Sequence, residues 1–344
     1  MINIGNIWYY IEILGRFVII MKYFLFFFAL SLFALHADSV DTNTSYIDTA
    51  HKIISNKVTD YSRTIDQEIS KVFTGEKGTQ KETEKQNSYD SFFKNEKYFN
   101  ETEKSFVSVN LGTQLQSKYK NKNTLTVNAH IDLKRTNKKL NLFISGGNEN
   151  KKNIDKNNAT EVGINYFRSD TYKIQSRYSI GIRSSYLFIR ARYYKVFTTT
   201  NWKIEPMQIF EYSSKNIFKE NTFIYFDKTL EDTSLLRFTL HRGTQSNLTG
   251  MNYDISTQYY WNSHKKNVFT LSETLSGNTK YQVYPSSKKY SGINNYTTRL
   301  TMRRNVWKKW FFYQISPSVN FHKENNYKAN YAINVLINLY FGHI

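Results

Sequence analysis

The sequence predicts an all-β chain: a transmembrane, antiparallel, up-and-down β-barrel of about fourteen strands, preceded by one short α-helix. Three observations carry this. An export-type leader stands near the start, apolar and polar residues alternate with period 2 from Lys104 to the C-terminus, and the chain is rich in aromatics (27 Tyr, 25 Phe) yet contains no Cys. Such aromatic content in a 344-residue chain argues against disorder. A mean hydropathy of -0.58 argues against a bundle of apolar spanning helices. The missing Cys excludes disulfide scaffolds, thiolate metal sites and a lipid-modified cysteine after the leader.

The leader comes first in chain order. From Met21 the chain reads one Lys, an apolar run from Phe24 to Leu35 and a small residue, Ala37, before polar sequence. This is the order of a secretory signal peptide cleaved after Ala37, so residues 1–37 form the signal region and Met21 is a candidate true start. The competing reading is an uncleaved anchor helix from Phe17 to Leu35, interrupted by Lys22.

Residues 38–75 are expected to hold a periplasmic amphipathic helix. Ile47, Ala50, Ile54, Val58, Tyr61, Ile65, Ile69 and Val72 recur at spacings of three or four, Ser45 and Asp48 resemble a capping box, and Gly75 is a stop signal. One helix lying on or plugging the barrel mouth is the simpler expectation, and a short coiled coil is the alternative. Residues 76–103 then read as a charged, Asn-rich linker bearing Tyr89, Phe92, Phe93, Tyr98 and Phe99.

From 104–344 the period is that of strands. Leu125, Val127, Ala129, Ile131 and Leu133 alternate with Thr126, Asn128, His130 and Asp132, and Tyr331, Ile333, Val335, Ile337, Leu339 and Phe341 form a similar apolar row near the end. Segments of ten to fourteen residues are longer than sandwich strands usually are, and suit strands that cross a bilayer. Starts fall near 105, 124, 139, 159, 172, 185, 201, 217, 233, 250, 265, 292, 309 and 328. Weak alternation over 201–231, which includes Pro206, leaves twelve strands as the alternative. If the first strand runs outward, connections at 148–158, 277–293 and 321–327 fall outside, and turns at 136–139, 198–201, 231–233 and 263–266 fall in the periplasm. Trp202, Trp261, Trp307 and Trp310 then gather at the periplasmic end as an aromatic girdle.

Several segments carry a resemblance: Lys228-Thr229-Leu230, Ser234 to Phe238, Gly250 to Tyr253, Arg303 to Trp310 ahead of Pro317, and Leu339-Tyr340-Phe341-Gly342. Together they resemble an uncharacterised family of Gram-negative, proteobacterial outer-membrane β-barrel proteins of unknown function. The resemblance covers about a third of the chain well, and implies an outer-membrane location and no known activity. Upstream, Asp90-Ser91-Phe92-Phe93 resembles the family's segment before the first strand, which implies a docking role for the linker aromatics. Such barrels usually end on an aromatic read by the insertion machinery, a role that falls to Tyr340 and Phe341 although Gly342, His343 and Ile344 follow them.

Charge is unevenly spread. Residues 38–104 hold 10 bases and 13 acids, whereas 105–344 hold 35 bases and 14 acids, so the +19 of the whole chain belongs to the barrel region. In an exported strand-rich chain this favours lipid phosphate, not nucleic acid, as the partner. By alternation Arg177, Arg183, Arg190, Arg192, Arg237, Arg299 and Arg303 face the lumen, with Asp132, Glu161 and Asp254 as acids of the same orientation. Two readings stand: an internal network in which Arg forks hold strands together, or a basic constriction favouring small anionic solutes. Lys118, Lys120, Lys122, Lys151, Lys152, Lys156, Lys288, Lys289, Lys323 and Lys328 fall on outer loops, where contact with lipopolysaccharide phosphates is expected.

No catalytic, metal or cofactor site is expected. His130 and His241 point inward with Asp254 or Ser256 within reach, but no spacing supports a triad, and Gly146-Gly147 lacks the residues of a phosphate loop. A lipid-modifying enzyme built on either His is the remaining alternative. A barrel, unlike a soluble sandwich, should be found in outer-membrane fractions as a band whose gel mobility changes on boiling; a soluble protein of unchanged mobility would refute the fold class.

Overall fold

The computed structural model describes residues 46–72, 105–133, 140–146, 160–169, 173–215, 217–231, 234–247, 250–264, 267–283, 289–305 and 308–342. The signal region, the linker at 76–103 and the connection at 148–158 lie outside the described residues. The chain divides into two compact units, 1–54 and 55–344. The described part of the first, 46–54, consists of the opening turns of a helix, α1, Tyr46–Val72.

Fourteen long strands follow: β1 Phe106–Gln116, β2 Lys122–Asp132, β3 Leu140–Ser145, β4 Glu161–Ser169, β5 Gln175–Arg183, β6 Tyr186–Tyr194, β7 Lys203–Ser213. The second half comprises β8 Ile217–Glu231, β9 Ser234–Gln245, β10 Asn252–His264, β11 Asn267–Val283, β12 Lys289–Asn305, β13 Phe311–His322 and β14 Ala329–Gly342. Each pairs antiparallel with its neighbour in sequence, and a two-residue ribbon, Phe197–Thr198, extends the β6–β7 turn. The β6–β7 pairing joins the two halves of the sheet, and β14 pairs with β1 from Phe106↔Gly342 to Gln116↔Ala332. The barrel is therefore closed and has no free edge.

The predicted starts agree with these strands to within three residues. The twelve-strand alternative fails because β7 and β8 are full strands, paired from Lys203↔Asp227 to Ser213↔Ile217. Pro206 is accommodated on the outward face opposite Ile224, and its carbonyl accepts from the Lys195 N–H. The connection expected at 277–293 is largely strand: β11 runs to Val283 and β12 begins at Lys289, so this hairpin extends further than its neighbours.

Both the start of β1 and the finish of β14 lie at one end, here the proximal end. Register partners share a face, so orientation can be followed around the wall from one residue. Ser108, Asn165, Ser179, Glu211, Asp227, Asp254, Ser276, Arg303, Ser316 and Asn338 are all buried and all point inward. Leu111, Leu125, Ile180, Ile189, Phe210, Ile255, Leu271, Leu300, Ile333 and Val335 are exposed and point outward. Side chains that a soluble core would bury thus form the outer surface.

Glycine shapes the inner wall at one place. Gly163 and Gly181 are register partners on the inward face, and a Cβ on Gly181 would meet the Phe188 ring at 2.9 Å. One on Gly163 would meet a backbone carbonyl at 2.3 Å and Phe143 at 3.0 Å, so the two bare positions are what let these rings lie along the wall.

From Ser55 onward α1 lies against the proximal strand ends, as the simpler sequence reading expected. Ser55 Oγ accepts from the Gly342 N–H at 3.2 Å, and Ser62 Oγ donates to Ser105 Oγ at 3.0 Å. The buried face in this part is Val58, Ser62 and Asp66, whereas Tyr61, assigned to the apolar stripe, is 49% exposed. The contact surface is polar because it faces strand termini with hydrogen bonds to complete.

An outward charge should be costly. Ile189→Arg, in the apolar row opposite Ile180, is expected to lose about 2–4 kcal/mol. Urea titration of the folded gel band checks this, with Arg192→Lys on the inner face losing less.

Candidate functional site: the barrel lumen

All seven predicted arginines occupy inward register positions, but they do not form one basic ring. Arg177 is the register partner of Arg192, Arg183 of Tyr186, Arg190 of Glu211, Arg237 of Asp227, Arg299 of Ser318 and Arg303 of Gln314. Their environments separate them into distinct groups.

The largest group lies where β4, β5, β6 and β7 meet near their distal ends. Arg183 donates through Nε to Glu161 Oε1 at 2.7 Å and forks onto Glu211 at 2.7 and 2.8 Å. Arg190 Nε donates to the same Glu211 at 2.8 Å and its Nη2 reaches Glu161 Oε2 at 3.1 Å. The Phe188 ring lies beneath both guanidiniums, 5.0 Å from Arg183 and 4.8 Å from Arg190. Two forks, two carboxylates and one π-face make a closed square in which the charges balance and the donors have matched acceptors. Four strands are tied laterally by it.

A second pair lies nearer the proximal end, where Arg237 holds Asp227 through two bonds of 2.7 Å between the rings of Tyr225 and Tyr260. Arg303, 2% exposed, makes no ion pair among the described residues. It donates to Asn338 Oδ1 at 2.7 Å and to the Tyr340 hydroxyl at 3.2 Å, over the Phe312 ring at 4.7 Å. Asn338 in turn donates to Asn110 at 2.7 Å and Asn110 to Thr126 at 3.1 Å, so one hydrogen-bonded row crosses the β14–β1 seam. Arg192 donates to Met207 Sδ and lies over Tyr194, and Arg177 is buried. Arg299 alone of the seven is exposed on the inward face.

Sequence alternation missed the acids that complete this arrangement. Glu205, Glu211 and Asp227, with Lys219 beside Glu211 at 3.9 Å, all lie on β7 and β8, the strands whose pattern is weakest. The available signal was charge itself: Glu161 on β4, Glu205 and Glu211 on β7, Asp227 on β8 and Asp254 on β10 all lie on strands that flank an Arg-bearing strand.

Comparisons with known proteins add little beyond this geometry. No protein-family profile matches the chain, and no curated protein matches it. Among solved structures, an outer-membrane protein of Vibrio cholerae, a loop-deletion form of OmpT, superposes with a TM-score of 0.43 at 7% identity, over 69% of this chain and 98% of that one. OccK11 of Pseudomonas aeruginosa has a TM-score of 0.43 at 6% identity, over 69% of this chain and 95% of that one. The KdgM porin in complex with disordered oligogalacturonate has a TM-score of 0.34 at 8% identity, over 67% and 98%.

The two inward histidines differ. His130 is buried and stacks on Phe106. His241 Nδ1 lies 2.9 Å from Asp254 Oδ2, its Nε2 lies 3.2 Å from Asn221 Oδ1, and Phe223 stacks on it at 4.2 Å. Ser276 Oγ donates to the other oxygen of Asp254 at 2.5 Å. The carboxylate bridges Ser and His here, whereas nucleophilic catalysis needs the imidazole between them. Among the described residues no group of His, Asp and Glu is placed to hold a metal ion.

The girdle and rim positions are partly described. Trp261 points outward near the proximal end, stacked with Tyr259 and Phe269, and Trp202 lies in the β6–β7 turn beneath the Lys228 ammonium at 5.5 Å. Trp310 packs against the inward cluster of Phe106, Phe312 and Tyr340, and Trp307 lies outside the described residues. Tyr340 faces inward onto Arg303, while its neighbour Phe341 pairs with Val107 on the outward face. Lys118, Lys120, Lys122 and Lys328 are exposed at the distal end, where Lys323 reaches the Ser291 carbonyl. Lys151, Lys152, Lys156 and Lys288, and the side chain of Lys289, lie outside the described residues.

Removing a shared carboxylate should destabilise the wall. Glu211→Ala leaves two buried guanidiniums facing each other and is expected to cost about 3–5 kcal/mol. A fall in the boiling temperature at which gel mobility changes checks it, and Arg299→Ala should lower that temperature less.

Proposed function

We propose that this chain is a non-enzymatic outer-membrane barrel that passes small solutes with a modest preference for anions. The observation that carries the reading is the reversal of polarity across the wall: apolar side chains outside, hydrogen-bonded polar and charged ones inside. The proximal end is then periplasmic, with Trp202 and Trp261 at the inner interface, and distal Lys118, Lys120 and Lys122 meet lipopolysaccharide phosphates.

The anion preference rests on the balance of inward charge. Arg183, Arg190 and Arg237 are offset by Glu161, Glu211 and Asp227, whereas Arg177, Arg192, Lys203, Lys219, Arg299 and Arg303 outnumber Asp132, Glu205 and Asp254. This surplus is smaller than the bare count of arginines suggested, and a weak selectivity follows.

A second reading, a structural barrel with a closed interior that retains lipopolysaccharide, is favoured by the dense Arg183–Glu161–Arg190–Glu211 square. Conductance separates the two. In planar bilayers under a KCl gradient the protein should form channels with an anion-selective reversal potential, and Arg299→Glu should move that potential toward cations. Cation preference, or no channels from folded protein, would sink the pore reading.

A further inference from the structure

The outward face differs around the barrel. From β13 through the seam to β6, the outward side chains among the described residues carry no charge except Arg168, next to the proximal end of β4. From β7 to β12 the same face bears Glu220, Arg242 and Glu273 away from the strand ends, among apolar side chains and a few Thr and Gln, with Lys228 and Arg304 next to the proximal end. Glu273 sits between Leu271 and Leu275 on β11, with Thr257 and Thr298 as its register partners and Tyr259 and Leu300 diagonal to it. It lies four residues from Phe269, the ring stacked on Trp261, which is roughly 10 Å of height in an apolar band about 25 Å tall.

These groups are incompletely served within one chain. Glu273 accepts from the Thr298 hydroxyl at 2.7 Å and has no cation beside it among the described residues. Arg242, its side chain 47% exposed, reaches Glu220 with one nitrogen, and Glu220 is linked through Gln208 to Thr222. A carboxylate and a guanidinium facing hydrocarbon are each costly, and seven strands elsewhere show that this barrel can present an uncharged outer wall.

We propose that the β7–β12 wall is an in-membrane interface with a second copy of this chain, in which Arg242 of each copy meets Glu273 of the other. The inference rests on the membrane-barrel reading above. Copies inserted in the same sense are related by an axis along the membrane normal, and a two-fold axis at β10 sets β9 of one against β11 of the other at equal height. Register partners climb toward the distal end from each strand to the next in chain order, so the residues of β11 level with Arg242 lie on the proximal side of its register partner Gly277, toward Glu273. Both signs of charge on one face, on either side of β10 and at similar height, make the surface complementary to itself. On the axis lie Tyr253 and Ile255, which would meet their own copies.

The absence of native Cys makes the test direct. Full-length protein carrying Ile255→Cys, oxidised in its native membrane, should give a disulfide-linked species of twice the chain mass, and Ile189→Cys on β6, outside the proposed wall, should not. Within the Ile255→Cys background, Glu273→Arg and Arg242→Glu should each lower the linked fraction at least tenfold, and the double reversal should recover it. Equal linking at both sites, an adduct of another mass, or no recovery in the double reversal would overturn the proposal. Gel mobility before and after boiling on the same samples separates the two failures: a heat-modifiable monomer removes only the interface, whereas loss of heat-modifiability removes the membrane barrel as well.

Discussion

In an apolar surrounding, a backbone N–H or C=O without a partner is costly, and water is not available to supply one. A sheet can meet that condition only by closing, and here closure is achieved at the β14–β1 seam, where eleven consecutive residue pairs run from Phe106↔Gly342 to Gln116↔Ala332. Everything else depends on it. The end of β14 must be held in place for the seam to register, and the Gly342 N–H, the last described donor of the strand, is taken by Ser55 of α1. Inside, the row from Arg303 through Asn338 and Asn110 to Thr126 fastens the same seam from the lumen side.

Closure also decides what the charged interior is for. Inward side chains of neighbouring strands stand close enough to touch, so an Arg on one strand finds an acid on the next before it finds a solute. The Arg183–Arg190 square and the Arg237–Asp227 pair are therefore as much lateral ties as pore lining, and aromatic faces under the guanidiniums take the place of water. Several Tyr and Phe serve this inward role, as Phe188, Phe312, Tyr225 and Tyr260 show.

Most of the fold was legible because a strand's side-chain period is two, so polarity along the chain maps directly onto inside and outside. Strand starts and the orientation of all seven arginines followed from that alone. The pattern faded over β7 and β8 because their faces are mixed: Gln208, Glu220 and Thr222 point outward while Ile209, Met207 and Phe223 point inward. Those are the strands that supply Glu211 and Asp227, so the acids of the site were lost where the alternation was weakest. The burial of Ser62 and Asp66 in place of Tyr61 was likewise hidden, since helical periodicity gives a face but not the polar strand ends it must meet.

The sequence by itself determined a closed barrel of about fourteen strands, with twelve left open, an inward set of arginines and an excess of base, since each of these depends only on local alternation and count. Only the tertiary structure decided which arginines are neutralised, that His241 is held by Asp254 with Ser276 on the far side of the carboxylate, and that, away from the proximal end, the outward charges among the described residues fall on one wall. The reason is physical: pairing depends on inter-strand register and shear, which bring residues distant in sequence to one height, and no local period encodes that distance.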